Sequence, residues 1–275
     1  MKVLHTGRGT AGSWQCRGVQ MGHAIPRASQ RDIAQADAVV LVKRPYPGFL
    51  EAVRGAGKLW VWDVVDAYPQ PACTSWCRAD AIRWFRAELK RLRPHGVIFP
   101  NRQMAIDCNT VVPSTVIYHH HRIGMAINPV REEVSTVGYE GSPVYLGGWL
   151  KHLLSACEAR GWSLTVNQGV HADFDICVAF RDAPFNGYAQ RHWKSNVKLA
   201  NCHGSGTPFI GPAECGYTET ATGLEEWVDQ PAALSAALDR LADYGVRQRI
   251  SGAFQNKAIT VEKCREQLQQ FLASL

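Results

Sequence analysis

Apolar residues along this chain fall into short blocks of two periods. Ala38-Val39-Val40-Leu41-Val42 is continuous and largely β-branched, the pattern of a strand buried on both faces of a parallel sheet. Similar short runs occur at 2–6 (KVLHT), 23–28, 58–65 (KLWVWDVV), 96–99 (GVIF) and 115–118. Between them, apolar positions three and four apart predict helices over 49–55, 76–92 and 102–108. The same alternation resumes further on, with strands at 137–141, 162–167, 174–180, 208–210 and 225–228. Helices are predicted at 148–160, from about 197 to the Gly204/Gly206 break, at 232–244, and over a C-terminal stretch from 247 to 272. Strands alternating with helices predict an α/β protein with parallel sheets.

The 275 residues suit one large domain or two of roughly 130 each. The stretch 123–140 has little periodicity and is the natural crossover, so domains are expected at 1–130 and 131–275. There is no internal repeat and no low-complexity linker. No apolar run approaches the ~20 residues of a membrane span, and the opening MKVLHTGRG is too short in apolar residues for a signal peptide. A soluble, cytoplasmic protein is expected, and a monomer.

Nine cysteines, scattered and odd in number, read as reduced and mostly buried thiols. Cys73 and Cys77 could share a helix face, and His119-His120-His121 is a run of imidazoles. No second paired spacing accompanies them, so no metal is expected. The net charge is +6. Arg78, Arg83, Arg86, Lys90, Arg91 and Arg93 cluster beside Trp76, Trp84 and Phe85, which is what a solvated helix face next to a core looks like and also suits a nucleic-acid backbone.

Candidate chemistry concentrates in 194–220, KSNVKLANCHGSGTPFIGPAECGYTET. A helix carrying Lys198, with Asn201 three residues on, leads through a glycine break into Pro208-Phe209-Ile210, and Glu219 follows the strand. A cation, an amide and a carboxylate at the carboxyl edge of a sheet suit a phosphate-bearing ligand with a hydroxylated sugar. Earlier, the strand at 2–6 runs into a glycine-rich loop without the dinucleotide fingerprint or a P-loop lysine; it reads as a ligand-approaching loop or a plain tight turn. Asp63 and Asp66 end a strand, where a carboxylate serves as base, substrate contact or turn cap.

Lys198, Asn201, Gly206-Thr207-Pro208-Phe209-Ile210 and Glu219, in that order over about 25 residues, resemble the donor-binding segment of two-domain GT-B glycosyltransferases, most nearly the retaining, metal-independent family 4. Typical members carry a glutamate near the position of Asn201. The resemblance implies two Rossmann-like domains facing a central cleft, the first on the acceptor side and the second binding a nucleotide-sugar, with the last helix commonly crossing back to the first domain. It implies donor contacts from Gly12, Ser13, Arg181, Lys198, Asn201 and Glu219, with Arg191 and Lys194 as secondary phosphate candidates. Asp66, His119 and His120 become the catalytic candidates, and Arg122 a further phosphate contact. No cofactor is implied beyond the nucleotide-sugar co-substrate, expected to be UDP-linked.

For the acceptor, the positive balance and the basic aromatic helix suggest hydroxymethylated bases in duplex DNA, as in phage enzymes, with Arg17, Arg83, Arg86 and Lys90 as contacts; such a protein would act in the host cytoplasm. A saccharide, lipid-linked or small-molecule acceptor, and a nucleotide-sugar-binding protein without transfer activity, are the alternatives.

Overall fold

The computed structural model describes residues 1–9, 12–66 and 75–275. Cys73, and with it the expected Cys73–Cys77 helix face, lies outside the described residues, as does the turn at 67–69. The chain divides into two compact units. One comprises Met1–His120, Tyr188–Ser195 and Thr260–Leu275; the other comprises His121–Gly187 and Asn196–Ile259.

In the first unit, β1 (Val3–Gly7), β2 (Ala38–Val42), β3 (Leu59–Asp63), β4 (Gly96–Phe99) and β5 (Ser114–Val116) form one parallel sheet in that order. The expected strand at 23–28 is reduced to an isolated bridge between Ala24 and His5. The Ile25 and Arg27 N–H groups still donate to the His5 and Gly7 carbonyls, but Arg27 is in the left-handed region (φ 52°), where an extended strand stops. Helices α1 (Gly12–Trp14), α2 (Gln30–Ala34), α3 (Phe49–Gly55), α4 (Arg78–Leu92) and α5 (Arg102–Cys108) connect the strands. Trp62 from β3 stacks on Phe85 from α4 at 5.6 Å and 9°, and both are fully buried. Each side chain of that size contributes about 1.5–3 kcal/mol by burial. Asp80 accepts from the Cys77 N–H at the start of α4, and Arg93 in the left-handed conformation closes it before Pro94.

The second unit holds β6 (Thr136–Tyr139), β7 (Ser163–Val166), β8 (Ile176–Val178), β9 (Phe209–Gly211) and β10 (Glu226–Trp227). Its sheet is wholly parallel with order β10-β9-β8-β6-β7. Alongside run α6 (Trp149–Glu158), α8 (Val197–Ser205), the short α9 (Cys215–Thr218), α10 (Leu234–Ala242) and α11 (Tyr244–Lys257), while α7 (Tyr188–Trp193) belongs to the first unit. Gly204 lies inside α8 rather than ending it, and is small because a Cβ there would come within 2.4 Å of the His121 ring; Gly206, at φ 72°, is the true cap. The single C-terminal helix expected over 247–272 is two helices, α11 and α12 (Val261–Ala273). Thr260 separates them because its side chain caps the Lys263 N–H. Among the described residues no helix is long and apolar enough to cross a membrane.

Candidate functional site

In an open parallel sheet, ligands bind at the carboxyl ends of strands where the winding direction reverses. The order of the second sheet reverses between β6 and β8. Glu140 and Gly141 follow β6, Arg181 follows β8, and Glu214 follows β9, so these groups leave the sheet at the same edge. Lys198 is contributed by the first turn of α8. Its ammonium stands 4.1 Å from the centroid of the Tyr139 ring, a cation–π contact. Among the described residues no carboxylate comes within ion-pair distance of it. Burial, followed by the nearby Arg181 charge, lowers the Lys198 pKa to about 8. Arg181, by contrast, is paired with the buried Glu214 carboxylate, which keeps it charged despite burial.

Asn201 faces inward and is buried. Its Oδ1 accepts from the Arg122 N–H at 3.1 Å, and its Nδ2 donates to Glu140 Oε2 at 3.1 Å. The side chain of Arg122 pairs with the other Glu140 oxygen, and His171 Nε2 stands 3.5 Å from Glu140 Oε2. Asn201 is therefore a clamp on Glu140, with its own amide already engaged. Glu140, Arg122 and His171, together with Asn167 and Gly169 beyond β7, line a cavity of about 400 Å³, the scale of a small-molecule site. Glu219 caps the end of α9 half-buried, whereas Glu214 five residues earlier is the inward-facing acid of this loop.

The first unit gathers a second constellation at the ends of its strands. Asp66 is held between Lys43 Nζ at 2.6 Å and Lys194 Nζ at 3.1 Å. Burial pushes the Asp66 carboxyl up, but the two ammonium charges outweigh it and hold the pKa far below the carboxylate range. Val65 and Lys43 both adopt positive φ, 68° and 64°, which places two strained residues at this cluster. Lys194, a secondary donor candidate, thus belongs to the Asp66 cluster; Asn101 fixes its segment by donating to the carbonyls of His192 (3.0 Å) and Lys194 (2.8 Å). His119 is buried in the same unit, and burial followed by the Arg17 charge keeps its imidazole neutral. His120 lies inside the fold, with Nε2 at 2.9 Å from the Cys16 carbonyl.

Arg17, expected to reach an acceptor, is only 1% exposed. Its Nε donates to Asp63 Oδ2 at 2.7 Å and its Nη1 to the Ile117 and Tyr118 carbonyls, so it ties β3 to the chain after β5. Arg83, Arg86 and Lys90 do lie on the outer face of α4, with Arg83 paired to Asp80. Gly12 is exposed and Ser13 half-buried at the start of α1; a Cβ at Gly12 would meet nothing within 4 Å. Arg191 is exposed on α7.

Three inward-facing groups, Tyr139, Glu140 and Glu214, lay outside the residues singled out from sequence. The available signal was position alone: each stands at, or just beyond, the carboxyl end of a strand in the second sheet.

No protein-family model matches this sequence, and no curated protein does. Solved structures do match. HepE of Anabaena, determined with UDP and glucose, superposes with a TM-score of 0.68 at 12% identity, covering 100% of both chains. AviGT4, a glycosyltransferase involved in avilamycin A biosynthesis, gives 0.58 at 11% identity over 100% of this chain and 99% of its own. TarM of S. aureus, determined with fondaparinux, α-GlcNAc-glycerol and UDP, gives 0.58 at 9% identity over 86% of this chain and 55% of its own. These likenesses establish the fold, the GT-B arrangement of two parallel α/β sheets that the sequence led us to expect.

Proposed function

We propose that this chain is a glycosyltransferase that moves a sugar from a nucleoside-diphosphate donor, UDP-linked, to an acceptor hydroxyl. The observation that carries this reading is Lys198, a cation without a carboxylate partner among the described residues, beside the reversal point of the second sheet. In the reaction the anomeric carbon–oxygen bond to the diphosphate breaks and a bond to the acceptor oxygen forms. Lys198 would meet the charge that develops on the leaving phosphate, in a setting where burial strengthens the interaction. Arg181 and Arg122 are already partly neutralised by Glu214 and Glu140, so they orient more than they compensate.

The acceptor proton must also go somewhere. Asp66, held ionised by two lysines, is a poor proton acceptor, and the buried His119 has little affinity for one. Weak bases at these two positions accord with the retention of anomeric configuration that the family 4 resemblance implies.

The acceptor we favour is a hydroxymethylated base in duplex DNA. Its support is the outer face of α4, where Arg86 and Lys90 are exposed cations with no ion pair among the described residues, together with the net charge of +6. Such cations follow a phosphate backbone.

A transfer screen tests both levels. Nucleotide-sugars would be paired with hydroxymethylated DNA, unmodified DNA and simple saccharides, with Lys198→Ala as the control. Product on hydroxymethylated DNA alone, lost in the variant, is the expected result. Product only on saccharides would keep the transferase and overturn the DNA acceptor. Donor binding without turnover on any acceptor would leave a binding protein on this fold.

A further inference from the structure

The second unit brings together three metal-binding side chains that the donor chemistry does not use. His171 comes from the 3-10 turn His171–Asp173 before β8, Cys177 from the middle of β8, and Cys202 from α8. Their ligand atoms all lie within 4.8 Å of one another, and the residues are 3%, 0% and 0% exposed. We infer that His171, Cys177 and Cys202 form a binding site for a thiophilic metal ion of the zinc class.

The geometry is close to what such an ion needs. Zinc bonds of about 2.3 Å to sulfur and about 2.0 Å to nitrogen, arranged tetrahedrally, put ligand atoms roughly 3.5–3.8 Å apart. Small side-chain rotations therefore suffice to close the set around one ion. The supporting frame is fixed: the His171 carbonyl accepts from Thr207 Oγ1 at 2.9 Å and from the Phe174 N–H at 3.2 Å. Asn128 in turn donates to Thr207 Oγ1 at 3.1 Å and to the Phe174 carbonyl at 2.5 Å. These bonds fix the backbone that carries His171.

A second observation points the same way. His171 Nε2 is buried without a well-formed hydrogen bond: its nearest carboxylate oxygen, Glu140 Oε2, stands at 3.5 Å, and the Cys177 thiol is the other polar partner of the imidazole. An imidazole nitrogen left in that state costs stability unless something binds it. Both thiols are fully buried. Binding would displace the thiol protons to solvent and leave the imidazole neutral. The fourth position falls to Glu140 Oε2, the carboxylate oxygen 3.5 Å from His171 Nε2, or to water from the adjoining cavity that His171 and Glu140 both line. An ion there would join β8, α8 and the cavity wall.

The test is cobalt(II) titration of the full chain after removal of metal under reductant. One equivalent should develop a thiolate-to-cobalt charge-transfer band with tetrahedral d–d absorption, and one equivalent of zinc should abolish both. Cys177→Ser and Cys202→Ser should each lose the band, while Cys157→Ser and Cys77→Ser, whose thiols lie elsewhere in the chain, should keep it. Should either serine variant fail to fold, His171→Gln serves in its place, with loss of the tetrahedral bands as the readout. Absence of the band in the native chain, or its survival in the Cys177→Ser/Cys202→Ser double variant, overturns the site. The readout is independent of sugar transfer, so failure of the transferase reading would leave it standing.

Discussion

The Lys198 ammonium and the Tyr139 ring are in cation–π contact at 4.1 Å, and the pKa of that lysine is lowered to about 8 by burial and the Arg181 charge. The groups acting on its titration are Arg181, Cys177, Glu214 and Glu140. A diphosphate donor needs the charged form. Between pH 7 and pH 9 the protonated fraction falls from about nine-tenths to about one-tenth, so donor affinity should fall about tenfold. Titration calorimetry with a nucleotide-sugar at the two pH values checks this. Lys198→Gln should bind weakly at both and show no such slope; an equal slope in the variant would remove Lys198 from the donor site.

Glu214 supplies the buried carboxylate that Arg181 requires. Glu214→Gln keeps the shape and removes the charge, leaving a guanidinium desolvated beside Lys198. Breaking a buried pair from one side costs about 3–5 kcal/mol. Denaturant unfolding followed by far-ultraviolet circular dichroism should show the loss, whereas Glu219→Gln, on a half-buried residue, should shift the midpoint far less.

That contrast shows where sequence reading works and where it stops. The two α/β halves are legible because Ala38–Val42 and its counterparts are short continuous apolar runs, and their length and β-branched content distinguish them from the helices between. Lys198 and Arg181 are legible as a cation on a helix and a cation at a strand end. Glu214 and Glu219 are not separable by type or spacing. The difference arises because α9, only four residues long, turns one acid inward and leaves the other at its cap. Arg17 and Lys194 illustrate the same limit at longer range. Arg17 finds Asp63 across 46 residues, and Lys194 finds Asp66 across 128, so their roles depend on tertiary placement that local pattern does not carry.

Acid should weaken the first unit in two separate windows. His5 is 2% exposed, and burial lowers its pKa from 6.5 to about 4. Below the unfolded value the unfolded chain takes up a proton that the folded chain refuses. Stability is therefore complete above about pH 6.5 and declines by about 3 kcal/mol as pH falls to about 4. His119 acts in the same direction. Asp66 has the opposite dependence on charge: its pKa is depressed, so its contribution persists above the unfolded carboxyl value and is lost only as pH falls below about 4. Urea unfolding at pH 7, 5 and 4, followed by tryptophan fluorescence, should show the first decline, and His5→Gln should flatten its share. A stability independent of pH over that range would contradict the buried neutral imidazoles.

The outer face of α4 gives the most direct test of the DNA acceptor. Arg86 and Lys90 are exposed there, while Arg83 and Arg91 are paired with Asp80 and Glu88. If the two free cations meet phosphates, each contact releases counterions, and the logarithm of affinity falls linearly with the logarithm of salt concentration. Replacing both by alanine should weaken binding to any duplex alike and reduce the magnitude of the salt slope by about two. The fold should be nearly unaffected, since exposed substitutions of this kind usually stay within about 0.5 kcal/mol. Fluorescence anisotropy with a labelled duplex between about 50 and 200 mM salt measures the slope. An unchanged slope in the double variant would take α4 out of the interface, and binding indifferent to salt in the native chain would exclude a duplex acceptor altogether.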